Sequence, residues 1–261
     1  MEAEAVGLTR GCFVIGAIGW VLMKAFILAA GHGTRLRPLT DRIPKCLLPI
    51  QDTPLLKIWL NNCKAAGITE VLVNAHAHPQ AIREFALTQK TGVKIRVVEE
   101  PELAGSAGTL AENREFVAGE DAFFVLYGDV LTNIDLLQML QFHQQKGAPA
   151  TLGIHQVPDP ERCGIVSVDE NAIVQSFIEK PAQPTSNWAF AGVMIAGQEV
   201  FDWLPDHRPA DIGFHLLPKF VGRMAAYKMR EYLLDIGTLT SYQAAQESWP
   251  GLAHAQQVND R

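Results

Sequence analysis

The chain has 261 residues, of which 48% are apolar and 19% charged. That balance belongs to a folded protein of one large α/β domain or two small ones and excludes a disordered chain. The formal net charge of −6 argues against a general nucleic-acid binder, which needs a basic surface. An anionic substrate would have to be held by a local cluster of cations.

Residues 1–22 read as an extension outside the folded core. The apolar run Cys12 to Leu22 has eleven residues, short of the roughly 20 that a bilayer-spanning helix needs. Lys24 breaks its continuation, and Glu2 and Glu4 spoil the basic start of a secretory signal. A membrane tether is the minority alternative for this stretch. Cys12, Cys46, Cys63 and Cys163 are scattered with no CxxC pair, so they read as reduced thiols of a cytoplasmic protein.

The core opens with Ala25 to Ala30, an apolar run expected to be a strand buried on both faces. It stops at Gly31-His32-Gly33-Thr34, and Arg35, Arg37, Arg42 and Lys45 follow. Two glycines let several N–H groups point at one anion. Arg35 can fork onto two phosphate oxygens, and Lys45 adds a point charge. A dinucleotide fingerprint would need a third glycine where Leu36 stands, and no Gly-Lys-Ser or Gly-Lys-Thr occurs. On residues alone this is either a polyphosphate cradle or an ordinary turn with solvated arginines.

Further on, the pattern predicts a helix over Pro54 to Ala66 and a strand over Val71 to Asn74. A second helix is expected over Pro79 to Thr88 and a third strand over Val93 to Val98. Such alternation predicts a doubly wound parallel sheet with ligands at the strands' carboxyl ends. His76 and His78 lie just beyond a strand, without a nearby third ligand, and read as solvated. Glu99-Glu100-Pro101 leads into LAGSAGTL at 103–110, where Gly105, Ser106 and Gly108 leave room for a flat base. A flexible loop is the alternative. Ala122 to Tyr127 is a strand ending at Gly128-Asp129, and a carboxylate there suits Mg²⁺, which takes one or two carboxylates plus substrate phosphates. A turn or a helix cap would also explain that Asp.

In the second half, Ala150 to His155 is an expected strand, and Gly164 to Asp169 pairs with Ile173 to Ile178 in a hairpin. Glu179-Lys180-Pro181 follows. Lys180 suits a phosphate and Glu179 suits sugar hydroxyls, although such a pair is ordinarily plain surface. Asp211 to Arg223 is expected to be a helix with Leu216, Leu217 and Phe220 inward. Tyr232 to Ile236 is a strand bearing Asp235, and Ser241 to Ser248 is a closing helix. Residues 251–261 read as a tail.

The string LAAGHGTRLRPLT at 28–40, followed by PKCLLPI at 44–50, resembles the signature of the sugar-1-phosphate nucleotidylyltransferases. The likeness runs from about Met23 to Gln246. It implies a nucleotide-diphospho-sugar transferase fold: a doubly wound, Rossmann-like, mostly parallel α/β sheet with a small hairpin insertion that binds the sugar. The implied arrangement is a single domain over 23–250, with a nucleotide-binding half at 23–130 and a sugar-binding half at 131–250. The implied reaction joins a nucleoside triphosphate to a sugar 1-phosphate and releases pyrophosphate.

The resemblance also implies roles. Leu28, Ala29, Ala30, Gly31, Gly33 and Thr34 would form the nucleotide loop, with Arg35 at the β and γ phosphates and Lys45 at the α-phosphate. Glu100, Gly105 and Ser106 would flank the nucleoside. Asp129 and Asp235 would hold Mg²⁺, and Gly164, Glu179, Lys180 and Gly192 would bind the sugar phosphate. Two positions depart from the family pattern: Cys163 stands where an aromatic residue is usual, and Phe190 where Asn is expected. The motifs look most like mannose- or heptose-1-phosphate guanylyltransferases, hence GTP. UTP- or dTTP-dependent glucose-type enzymes, a cytidylyltransferase for a non-sugar alcohol phosphate, and an inactive nucleotide-sugar-sensing subunit remain alternatives. Family likeness also implies a homo-oligomer.

Overall fold

The computed structural model describes residues 23–252; the extension 1–22 and all but the first two residues of the tail lie outside them. The chain runs β1 (Met23–Leu28), a short hairpin β2 (Pro49–Ile50) and β3 (Thr53–Pro54), α1 (Leu55–Ala65), β4 (Ile68–Ala75), α2 (Pro79–Thr88) and β5 (Lys94–Glu99). There follow α3 (Ser106–Glu112), β6 (Ala122–Tyr127), β7 (Val130–Thr132), α4 (Leu136–Lys146) and β8 (Ala150–Gln156). The last stretch holds β9 (Gly164–Val168), β10 (Val174–Glu179), β11 (Trp188–Gly197), β12 (Ala225–Lys228), β13 (Leu233–Asp235) and α5 (Leu239–Ser248). No helix among the described residues is long and apolar enough to cross a membrane.

The main sheet has the order β10-β9-β11-β6-β1-β4-β5, with β8 beside β11 and β12 beside β8. Strands β6, β1, β4 and β5 are parallel. The other half is built on β11, which runs antiparallel to β6, β8 and β9. Parallel pairing dominates the half whose strands are joined through helices and recurs in the other half between β8 and β12, so the sheet as a whole is mixed. The expected hairpin is present as β9 and β10, and the sugar-side expectations fall on the antiparallel half.

Burial of β1 on both faces follows from its residue alternation. Ala25 and Ile27 join one core with Leu56 and Trp59 of α1, whereas Phe26 joins the other with Leu110, Phe116 and Phe123. From β1 the chain winds out to β4 and β5, then returns to the opposite side of β1 as β6. A crevice opens where the winding direction reverses, at the carboxyl ends of β1 and β6. Gly128 N donates to Leu28 O at 2.8 Å and ties the two strand tips together.

One expected element is different. Asp211 to Arg223 is not one helix but a single wide turn, Ile212–Leu216, followed by a tight turn, Leu217–Phe220. Pro218 has no N–H to give and its ring crowds the preceding turn, so an α-helix cannot run through it. Leu216, Leu217 and Phe220 are nevertheless buried as the pattern requires.

Candidate active site

The glycine loop after β1 is fixed at its ends and open in its middle. Ala29 N donates to Asn74 Oδ1 at 2.6 Å, and the Thr40 hydroxyl donates to Gly33 O at 2.8 Å. Leu36 is fully buried, which anchors the turn Thr34–Leu36 and leaves Arg35 and Arg37 exposed on either side. Among the described residues, none accepts a hydrogen bond from the backbone N–H of Gly31, His32, Gly33 or Thr34. Donors left unpaired on one loop are available to an anion, as a phosphate-binding segment would require.

Beside this loop, three distant segments bring charge together. Lys45 follows Pro44 in a turn pinned by buried Cys46, and its Nζ lies 2.7 Å from Asp129 Oδ2. Asp235 ends β13, which pairs antiparallel with β7 directly after Asp129. Ile236 N donates to Asp129 O at 2.9 Å. That bond brings the end of β13 up to Asp129, close enough for the Asp129 charge to act on the Asp235 carboxyl. Asp235 is exposed, yet its carboxyl pKa is raised, first by desolvation and then by the charge of Asp129, against the lowering effects of Lys45 and Arg35. Gly237 leaves the room in which Asp235 Oδ1 and Arg35 Nη2 both fit, 2.5 and 3.1 Å from where a Cβ would stand.

Two carboxylates close enough for one to act on the other's charge favour a cation beside them. No cluster of three or more His, Cys, Asp or Glu side chains placed to hold a metal exists among the described residues. An oxygen-only pair of carboxylates suits Mg²⁺, which completes its shell with phosphates and water, better than a metal needing an all-protein cage. His76 and His78 are engaged elsewhere, with the Glu100 and Thr40 carbonyls.

A cleft of about 220 Å³ continues from the loop between Gly31, Asn74, Gly105, Ser106, Tyr127 and Asp129. Glu100 also lines it, but its carboxylate is directed inward. It accepts from Asn74 Nδ2 at 2.9 Å, from the Thr109 hydroxyl at 2.5 Å and from Ala104 N at 3.2 Å. Glu100 thus shapes the loop at 103–108, with its side chain buried at 4% exposure. The Ser106 hydroxyl is likewise engaged: it donates to Asp211 Oδ2 at 2.9 Å and accepts from Ile212 N at 2.8 Å. What Ser106 offers the cleft is backbone. Gly105 has φ 78° and ψ 162°, a region essentially closed to other residues.

On the antiparallel half, Glu179 lies opposite Gly164 in the β9–β10 ladder. Its carboxylate fills space that side chains at Gly164 and Gly213 would occupy. Burial raises its pKa, with Lys180 lowering it and Asp211 raising it. Lys180 follows with a left-handed φ of 51°, its N donating to Cys163 O at 2.9 Å and its Nζ 3.7 Å from Glu179 Oε1. Cys163 is a half-buried thiol whose pKa is raised by burial and then by the charges of Asp235 and Glu179. Gly192 is buried at an irregularity of β11 with φ 70°. A Cβ there would sit 3.0 Å from both Tyr127 and Val130. Its visible part is thus close packing beneath Tyr127, and Phe190 meets the same ring edge-on at 5.6 Å.

Sequence reasoning did not single out Asn74, Thr109 or Asp211 as parts of the site. Asn74 is a polar residue at the tip of a buried strand, which is a usable signal. Thr109 and Asp211 act across large sequence separations, which no local pattern reveals.

Known proteins resemble the chain over nearly all of its described residues. Residues 24–250 match the model of the nucleotidyl transferase family. The chain is 35% identical over 238 residues to a UTP–glucose-1-phosphate uridylyltransferase of Synechocystis, covering 84% of this chain and 61% of that protein. It is 33% identical over 227 residues to mannose-1-phosphate guanylyltransferase 1 of Arabidopsis thaliana, covering 84% and 63% respectively. A solved structure from Bacillus anthracis, assigned as a glucose-1-phosphate thymidylyltransferase and holding sucrose, superimposes with a TM-score of 0.78. It shares 26% identity and covers 86% of this chain and 94% of its own. The chain thus spans a little over three fifths of the length of these two curated relatives. With the family model matching nearly all of the described residues, the chain belongs to the nucleotidyl transferase family.

Proposed function

We propose that the protein transfers a nucleotidyl group from a nucleoside triphosphate to a sugar 1-phosphate, with GTP and mannose 1-phosphate (or a heptose 1-phosphate) as the preferred pair. The observation that carries this reading is the meeting of Lys45, Asp129, Asp235 and Arg35 at the sheet's switch point, beside a loop of unpaired N–H groups. In the reaction, a phosphate oxygen of the sugar 1-phosphate attacks the α-phosphorus. The bond to the bridging oxygen breaks, and pyrophosphate leaves with the electron pair. No base is needed, because a phosphomonoester is already largely ionised near neutral pH, with a second pKa of about 6.

The work left to the protein is to bring two anions together and to stabilise charge on the leaving oxygens. The open N–H groups of Gly31 to Thr34 and the Arg35 guanidinium hold the β and γ phosphates, and Lys45 holds the α-phosphate. Lys180 orients the attacking phosphate while Glu179 accepts from sugar hydroxyls. Asp129 and Asp235 would hold Mg²⁺, which neutralises charge on the phosphate oxygens when bound.

A second reading exchanges the base and sugar for UTP or dTTP and a glucose-type phosphate. The near-equal similarity to the uridylyltransferase and the guanylyltransferase favours keeping it. Pyrophosphate release from four triphosphates against mannose, glucose and N-acetylglucosamine 1-phosphates tests both. Turnover is expected with one base and one sugar well above the rest. Binding of nucleotide sugar with no release from any pair would turn the reading toward a sensor.

A further inference from the structure

The turn Ile212–Leu216 carries one exposed aromatic among buried neighbours. Phe214 is 53% exposed, whereas Ile212, Gly213 and Leu216 are buried. Its backbone is held from a distant element. Asp211 Oδ1 accepts from Gly213 N at 2.8 Å and from Phe214 N at 3.2 Å, and Oδ2 accepts from Ser106 Oγ at the start of α3. A lone apolar ring on a surface needs no explanation; a ring on a backbone held in this way, beside a cation, does. The Lys180 ammonium stands 5.7 Å from the centroid of the Phe214 ring.

Lys180 needs a second holder. Its left-handed backbone is uncommon for a long L side chain. Its distance of 3.7 Å from Glu179 Oε1 is too long for a good hydrogen bond. Glu179 therefore attracts the ammonium without fixing it. An aromatic face within about 6 Å supplies a directional attraction, weak in open water and stronger once a cleft excludes solvent.

We propose that Phe214 is a positioning residue: its ring holds the Lys180 ammonium at the edge of the sugar-phosphate cleft. This inference rests on the proposed function for its kinetic consequence, but not for the contact itself. Two measurements separate them. In protein labelled at lysine ε-carbons, the Lys180 ε-methylene signal, assigned by its loss in Lys180→Met, should be shifted upfield by the ring. In Phe214→Leu it should move to the ordinary lysine position. An unshifted Lys180 signal in the wild type overturns the proposal whatever the enzyme turns over.

The kinetic arm uses the triphosphate and sugar 1-phosphate pair that the wild type prefers. Phe214→Leu is expected to lower kcat/KM for the sugar 1-phosphate about fivefold, with the triphosphate KM and Tm unchanged. Phe214→Tyr should recover most of that loss. In a Lys180→Met background, Phe214→Leu should add nothing, since the residue it acts through is gone. The same fivefold loss persisting in that background would assign the ring to sugar contact or to structure and contradict the proposal. A wild type inactive with every pair would refute the proposed function while leaving the spectroscopic test intact.

Discussion

Lys45→Ala is expected to lower turnover by about 10²- to 10³-fold at saturating substrates, the range found when one preorganised donor to a developing negative charge is removed. The size of the effect follows from where Lys45 sits. Its side chain is only 10% exposed, and Nζ is 2.7 Å from Asp129 Oδ2, so the charge is fixed before substrate arrives. Water cannot replace it with equal preorganisation. Removal also leaves the Asp129 and Asp235 charges with Arg35 as the remaining nearby cation, which raises the repulsion that an incoming triphosphate meets. Lys45→Arg should recover only part of the loss, because a planar fork does not reproduce a compact point charge. Asp129 is 37% exposed, so stability should fall little, and a steady-state assay beside a thermal melt separates the two effects. Near-normal turnover in Lys45→Ala would remove Lys45 from the chemistry.

Gly105→Ala should be the most damaging small substitution on the base side of the cleft. An added methyl would collide with the backbone carbonyl of Ala210, and φ 78° with ψ 162° strains any residue with a Cβ. The loop can escape only by moving away from residues 208–212. Three backbone hydrogen bonds then suffer: Ala107 N and Gly108 N to Ala210 O, and Ala210 N to Ala104 O. Strain and weakened bonds together predict a loss of about 2–4 kcal/mol in unfolding free energy. The triphosphate KM should rise by about tenfold or more, as the cleft wall shifts. Denaturant unfolding and triphosphate kinetics check the two effects separately. An unchanged KM would show that this loop does not meet the nucleotide.

Much of the parallel half was legible because each of its segments carries its own signal. Pro79–Thr88 and Ala122–Tyr127 match the expected bounds, the first marked by proline at its start and the second by an unbroken apolar run. Helix α4 was missed even though Asp135 caps it through Gln138 N and Gly147 ends it in a left-handed conformation. Its polar face, rich in glutamine, obscures the periodicity. Strand β12 has four residues and pairs with β8 across a long separation, and a short strand of that kind has no local signature. At the site, the charged residues could be named from motifs. The side-chain directions of Glu100 and Ser106 could not, because they depend on Asn74, Thr109 and Asp211 arriving from other elements. The same limit hid the Asp211–Ser106 bond, which joins the base-side loop to the turn that carries Phe214.

Whether Asp129 and Asp235 share a metal ion beside the phosphate loop can be read from an anomalous-diffraction map of crystals grown with Mn²⁺ and a non-hydrolysable triphosphate. One strong peak is expected within bonding distance of both Asp129 and Asp235, with the triphosphate's β and γ oxygens on the N–H groups of Gly31 to Thr34. A peak remote from that pair, or phosphates lying away from the loop with Arg35 and Lys45 turned to solvent, would contradict it.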